Sequence, residues 1–289
     1  MSRDIAIATV LRTGPGTSVQ DLGRWGNAAY GVPISGALDL RSVRWINHLL
    51  QNQENDSVLE ISQPGFSIYF DSPTCIALAG ALAYIKLNGK EVESSGLMQL
   101  NGKDTLEIGA MSAGARVYLG IKFGFKTEKI LDSRSFYEGL TNAFQLSKGA
   151  KIPYSIDFKT TPIYNAKAKW SADWYQTEII HAYPGPDFFL LNERIKEKLL
   201  NQTYRISQFS NRMGIQLLEL LENELPELPT NPVYPGTVQL TSGGKLLILL
   251  KDAQVTGGYP RILQLNEESQ WVLAQKRPGD RIQFQLAKP

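Results

Sequence analysis

Residues 58–89 read VLEISQPGFSIYFDSPTCIALAGALAYIKLNG. Runs of β-branched and aromatic residues, Val58–Ile61, Phe66–Phe70, Cys75–Ala79 and Ala83–Leu87, alternate here with Gln63-Pro64-Gly65, Asp71-Ser72-Pro73 and Asn88-Gly89. Such runs predict strands, because branched and aromatic side chains fill a pleated, half-buried surface while Gly, Pro, Asn and Asp supply the turns. Asn88-Gly89 tolerates positive φ at both turn positions and predicts a hairpin, and Asn101-Gly102 repeats that signal. Thr105–Ile108 and Val117–Phe123 continue the pattern. The second half has the same texture in Thr177–Tyr183, Thr203–Ser207, Gly214–Leu218, Thr237–Leu240, Lys245–Leu250, Ile262–Leu265 and Arg281–Leu286.

Three helices interrupt the strands. Asp39 can cap one to about Gln51, with Val43, Ile46 and Leu50 at helical spacing. Asp187 can cap a second to about Asn201, and Asn266 a third that ends before Pro278-Gly279. Many short strands with few helices predict a mainly β chain of sandwiches or barrels rather than a doubly wound sheet. The stretch from Gly139 to Asp173 is polar and without period. It reads as a connecting segment, 139–175, between an N-terminal unit over 1–138 and a C-terminal unit over 176–289.

Bulk chemistry narrows the function. The 289 residues are 43% hydrophobic and 20% charged, with a net charge of +2, which gives no reason to expect a nucleic-acid or acidic-membrane partner. Cys75 stands alone in an apolar run and reads as an inert buried thiol. His48 and His181 are isolated, so no metal site is expected. Met1–Thr9 does not read as a signal peptide, and no apolar run approaches the ~20 residues of a membrane span, which points to the cytoplasm. Phosphate-loop, dinucleotide and serine-elbow motifs do not occur.

Four loop-like segments combine glycine with charged or amide side chains. They are Gly14–Arg24 (GPGTSVQDLGR), Asp132-Ser133-Arg134-Ser135, Ser210–Gly214 (SNRMG) and Lys251–Pro260 (KDAQVTGGYP). Glycine lets backbone N–H groups approach a ligand; Asp21 and Asp252 are candidate proton acceptors; Arg24, Arg134 and Arg212 could fork onto a carboxylate. Each segment alone also reads as ordinary turn chemistry. As a functional site, at least the first and fourth are expected to converge on one concave surface.

In wording and order these segments resemble the family of the 5-oxoprolinase C subunit, also known as allophanate hydrolase subunit 2 or biotin-dependent carboxyltransferase. The resemblance rests on Gly14–Arg24, Gly31-Val32-Pro33, Gly36-Ala37-Leu38-Asp39, Leu59-Glu60-Ile61, Ala79-Gly80-Ala81 and Ser133-Arg134-Ser135 in the first half. Pro184-Gly185-Pro186, Arg212-Met213-Gly214, Pro235–Gln239, Asp252–Pro260 and Arg277–Asp280 complete it in order. It departs at Asn211, where the family usually has Asp, at Phe123, where a glycine is common, and over Tyr137–Lys151.

The resemblance implies two linked cyclophilin-like β-barrel units. It further implies one component of an ATP-dependent enzyme that opens the lactam of 5-oxo-L-proline to L-glutamate beside partners of the A type and the B type. A lactam is a resonance-stabilised amide, so its opening needs an activated carbonyl, donors for developing negative charge and a carboxylate anchor. On that reading Asp252, Asp21 and Arg134 serve catalysis, and Gln20, Arg24, Arg212, Gly257, Gly258 and Tyr259 bind substrate or nucleotide. Two alternatives stand beside it: biotin-dependent carboxyl transfer in allophanate-related chemistry, and a non-catalytic regulator that sequesters a kinase inhibitor resembling the B-type partner.

Overall fold

The computed structural model describes residues 4–158 and 170–287. They fall into two compact units. The first holds the chain up to Arg24 and Ser35–Ala172; the second holds Trp25–Ile34 and the chain from Asp173.

The first unit is a curled nine-stranded sheet: β1 (Ile5–Arg12), β2 (Ser18–Gln20), β3 (Val58–Ile61), β4 (Phe66–Phe70), β5 (Thr74–Leu87), β6 (Lys90–Val92), β7 (Gly96–Leu100), β8 (Asp104–Ile121) and β9 (Lys151–Ser155). The order β2-β3-β8-β4-β1-β9 forms its path, with β5 pairing β6, β7 and β8. The four runs predicted over 75–79, 83–87, 105–108 and 117–123 are in fact two long strands. Gly80-Ala81-Leu82 and the Gly- and Ala-rich stretch 109–116 read as punctuation, yet they hold bulges. The β5–β8 register shifts at Gly80/Leu82, Leu82/Ala83 and Ala83/Ile85. Bulges bend a strand without ending it. One end of β8 therefore pairs β3 through Tyr118, and the other pairs β4 through Leu106. The expected connecting stretch 139–175 carries β9, paired with β1 from Ile5↔Ser155 to Thr9↔Lys151.

Asn88 and Gly89 both take positive φ, 52° and 78°, in the β5–β6 hairpin. The Asn101-Gly102 turn links β7 to β8, but these two strands do not pair with each other, and the positive φ falls on Lys103. Helix α1 (Leu40–Leu49) is capped as expected, with Asp39 accepting from Ser42 N–H at 3.0 Å. It buries Val43 and Ile46 against the sheet at Gly120, where a Cβ would lie 2.1 Å from Ile46 Cγ2. Burial of two such side chains contributes about 1.5–3 kcal/mol each.

The second unit contains β10 (Ile179–Pro184), β11 (Tyr204–Arg205), β12 (Gly214–Gln216), β13 (Asn231–Pro232), β14 (Thr237–Leu240), β15 (Leu246–Leu249), β16 (Thr256–Gly257), β17 (Arg261–Leu265) and β18 (Arg281–Leu286). Seven of them form a sheet in the order β11-β18-β10-β17-β14-β15-β12, and β13 pairs β16 separately. The two ends of the seven-stranded sheet meet at the Ile206↔Leu217 bridge, with Ser207 N–H donating to Gln216 O at 2.9 Å. Curling back on itself in this way covers the edge groups an open sheet would expose. The predicted mainly β architecture of two cyclophilin-like barrel units with a few helices is what the chain adopts.

Helix α2 (Glu193–Asn201) starts later than Asp187. Its cap is Asn192, which accepts from Ile195 N–H, while Phe188–Leu190 form a 3-10 turn. The Asp187 carboxylate is engaged by Arg261 instead. Helix α3 (Glu267–Ala274) is capped by Asn266 as predicted. No helix among the described residues is long and apolar enough to cross a membrane.

Candidate functional site

The first and second glycine-containing segments meet in the first unit, and Asp21 is the joint. Its side chain is fully buried at the end of β2. Oδ1 accepts from Gly23 N–H at 2.8 Å and from the hydroxyls of Ser133 and Ser135, both at 2.6 Å. Oδ2 accepts from Arg134 N–H at 2.6 Å. Charge-assisted bonds of this kind are the stronger class. The two serines, two residues apart, face Asp21 together, so the loop carrying Arg134 is fixed from below. Glycine is needed nearby: Gly36 runs at φ +89° against Leu22-Gly23, and a Cβ there would lie 2.8 Å from Gly23 N.

The neighbours of Asp21 reach the same loop. The Arg24 guanidinium is buried and donates through Nη2 to Ser135 O. Gln20 is buried, with Nε2 donating to Ser18 Oγ at 2.9 Å and to Phe136 O at 3.4 Å. Arg134 differs from both. It is half-buried, and its guanidinium makes no hydrogen bond or ion pair among the described residues. Burial pushes the Arg134 guanidinium below its ordinary value, and the Asp21 and Asp56 carboxylates oppose that shift. A partly desolvated arginine with an unused fork is suited to a small anion such as a carboxylate.

Beneath the Gly36–Asp39 turn lies a second buried polar group that sequence reading did not assign. Glu60 Oε2 accepts from Leu38 N–H at 2.9 Å and from the Tyr118 hydroxyl at 2.8 Å, and Arg116 Nε lies 3.6 Å from Glu60 Oε1. Burial, with Glu60 and Asp39 nearby, raises the Tyr118 phenol well above its ordinary value and keeps it a donor. The signal for this group was the pair of polar residues, Glu60 and Tyr118, at matching positions of two otherwise apolar strands.

The third and fourth segments meet in the second unit. Arg212 forks onto Asp252, Nε to Oδ2 at 2.7 Å and Nη2 to Oδ1 at 3.1 Å. Asp252 N–H also donates to Arg212 O at 3.0 Å. Asn211, where a carboxylate was expected, uses Oδ1 to accept from Met213 and Gly214 N–H at 2.8 and 3.2 Å. An amide oxygen serves that local turn as well as a carboxylate would. Gly257, Gly258 and Tyr259 follow on β16 and the loop to β17, all half-buried. The residue after Arg24, Trp25, belongs to this unit, and Lys251 Nζ lies 5.8 Å from its ring centroid.

Asp187 and Arg261, which sequence reading also missed, form a parallel fork here. Asp187 Oδ2 accepts from Arg261 N–H and Nε, both at 2.9 Å. Burial pushes the Asp187 carboxyl up, but the side-chain and backbone bonds from Arg261 outweigh it and hold the carboxyl below its ordinary value. The contribution of this group is therefore complete above the unfolded carboxylate value and is lost as pH falls through the lower folded value. Asp187→Asn is expected to lower stability at neutral pH by about 1–2 kcal/mol. Urea unfolding followed from neutral to acid pH should show that gap closing as the parent is protonated; a gap independent of pH would contradict the assignment.

His48 and His181 are exposed, Cys75 is buried, and no group of three or more metal-binding side chains occurs among the described residues.

A curled β fold of this kind defines a class. Over 98% of its length the chain matches the solved structures of TTHA0988 and of the K. lactis urea amidolyase, each with a TM-score of 0.84 and 25% identity. It spans 56% of the TTHA0988 chain and 19% of the urea amidolyase chain. Residues 30–286 match the family described as carboxyltransferase domain, subdomain A and B. The chain belongs to that carboxyltransferase-domain family. It is 29% identical to the C subunit of 5-oxoprolinase from Escherichia coli K12, across 95% of this chain and 89% of that protein. It is 30% identical to the urea amidolyase of Lachancea kluyveri, across 94% of this chain and 16% of that protein.

Proposed function

We propose that this chain is one component of an ATP-dependent 5-oxoprolinase that opens the lactam of 5-oxo-L-proline to L-glutamate together with A-type and B-type partners. The observation that carries the reading is the unused guanidinium fork of Arg134, half-buried on a loop that Asp21 fixes. 5-Oxo-L-proline carries a carboxylate beside its lactam nitrogen, and Arg134 is its anchor. In the reaction the oxygen of water joins the lactam carbonyl carbon, the C–N bond breaks, and the nitrogen becomes the amino group of glutamate. The hydroxyls of Ser133 and Ser135 are committed to Asp21, so the loop's donor set suits a single carboxylate. A triphosphate takes several donors, and ATP is accordingly assigned to the complex as co-substrate.

Asp21 and Asp252 act in this reading by holding geometry: Asp21 fixes the Arg134 loop, and Asp252, held by Arg212, fixes the loop that leads to Gly257, Gly258 and Tyr259. Gln20 and Arg24 pin the carbonyls that follow Arg134. Near-full coverage of a protein named as the C subunit of 5-oxoprolinase supports the choice of substrate.

The test is reconstitution. The chain, combined with its two partners, ATP and 5-oxo-L-proline, is expected to release glutamate. Release at the same rate when the chain is omitted sinks the reading.

Carboxyl transfer is the second reading, favoured by the description of the family itself. It would require biotin on another protein, and glutamate release without any biotinylated protein separates the two.

A further inference from the structure

Residues 217–236 connect β12 to β14, and only the two-residue β13 interrupts them. Connections beyond roughly 12–15 residues with so little regular structure are uncommon in a compact unit and are usually functional where they are ordered. The middle of this one reads ELPELPTNP over 224–232, with Pro226, Pro229 and Pro232 at every third position. Each proline holds φ at about −65°, and the residue before a proline is pushed to extended backbone. Those preceding residues are Leu225, Leu228 and Asn231. The segment is thereby set toward a left-handed extended helix of about three residues per turn.

Exposure follows the same period of three. Leu225, Leu228 and Asn231 are half-buried, and two of them tie the segment down: Leu228 N–H donates to Gly258 O at 2.8 Å, and Asn231 pairs with Gly257. The three prolines are exposed, and so are Glu224, Glu227 and Thr230. One edge of this strap therefore faces its own unit, while an edge of proline rings and an edge carrying two carboxylates face solvent. The charge is one-sided as well. From Met213 to Gly244 the sequence has four glutamates and neither lysine nor arginine. Glu219 is paired with Arg205, whereas Glu222, Glu224 and Glu227 make no ion pair among the described residues. Arg261 reaches the strap at Pro232 O, but its charge is matched by Asp187.

We propose that this strap is a docking ridge for a partner protein of the complex, one whose groove is lined by aromatic side chains and rimmed by lysine or arginine. Proline rings repeating every third position fit between aromatic rings, which is how extended helices of this kind are recognised. The ridge exists before binding, so little conformational entropy is lost on association. The three unpaired carboxylates select a basic rim. They also repel phosphate, which argues against a nucleic acid or an anionic membrane on this face. The whole strap lies within the second unit.

The experiment uses the full chain, with the purified A-type and B-type proteins as separate probes; that choice of probes rests on the reading above. One of them is expected to bind the parent with an affinity that falls as salt rises. Pro226→Ser combined with Pro229→Ser removes two rings and should weaken that binding roughly ten-fold. Glu224→Gln combined with Glu227→Gln keeps the rings and should slow association roughly five-fold at low salt, with the difference closing at high salt. All four side chains are exposed, so the thermal midpoint should stay that of the parent. The glutamine pair leaves every proline in place and keeps the test decisive where the serine pair loosens the strap. Either pair binding as the parent does overturns the proposal, and so does failure of both probes to bind. Self-association of the chain alone, abolished by the serine pair, would put a second copy on the ridge and overturn it too. Glutamate release by the reconstituted complex is measured separately. Strap-dependent binding without release counts against the lactam-opening reading and not against the ridge; release with both variants binding as the parent does counts against the ridge alone.

Discussion

Arg134→Ala is expected to lower kcat/KM of the assembled complex for 5-oxo-L-proline by roughly ten- to hundred-fold, with no change in thermal midpoint. That range is the value of a charge-assisted bond to a carboxylate, ~1.5–3 kcal/mol. The stability half follows from the structure: the guanidinium holds nothing in place among the described residues, and the loop is fixed through the backbone N–H of residue 134 and the two flanking serines. Arg134→Lys keeps the charge and loses the fork, so it should recover part of the loss. Unchanged kinetics in Arg134→Ala would remove the anchor from the mechanism. A steep fall in melting temperature would make Arg134 a structural residue.

Asp21→Ala is expected to do the reverse, failing in stability first. Four donors converge on this carboxylate in a site closed to solvent. Removing it strands two backbone N–H groups and two hydroxyls, and a cost of about 3–5 kcal/mol follows once their non-additivity is allowed for. Asp21→Asn should be milder, because one acceptor oxygen remains while the new NH2 faces groups that also donate. Denaturant unfolding measures both. An Asp21→Ala midpoint equal to that of the parent would mean that the four contacts do not hold the loop.

These opposite expectations for two residues of one hydrogen-bonded cluster bear on what a sequence can tell. The strands Val58–Ile61, Phe66–Phe70, Thr237–Leu240 and Arg281–Leu286 were legible because each is a short run carrying branched or aromatic side chains between clear turn residues. β5 and β8 were not legible as wholes, since glycine and alanine inside a strand carry the same local signal whether they end it or bulge it. The Asp187 cap failed for a related reason. Capping competes with any other donor, and Arg261, 74 positions away, takes the carboxylate. The glycine segments were found by composition. Which of them meet was not, because the Asp21–Ser133 and Arg212–Asp252 partners are 112 and 40 residues apart.

The chain's path carries a consequence for its synthesis. Residues 25–34 leave the ribosome early, yet they belong to the compact unit completed by the chain from Asp173. The N-terminal half therefore emerges with a ten-residue stretch whose own unit is not yet complete. Vectorial folding can finish the first unit during translation, but it must leave this stretch waiting. A single cut between residues 138 and 176 would likewise separate the second unit from part of itself, so a version split into its two units calls for three breaks, after residues 24, 34 and 172, and a permuted order of pieces.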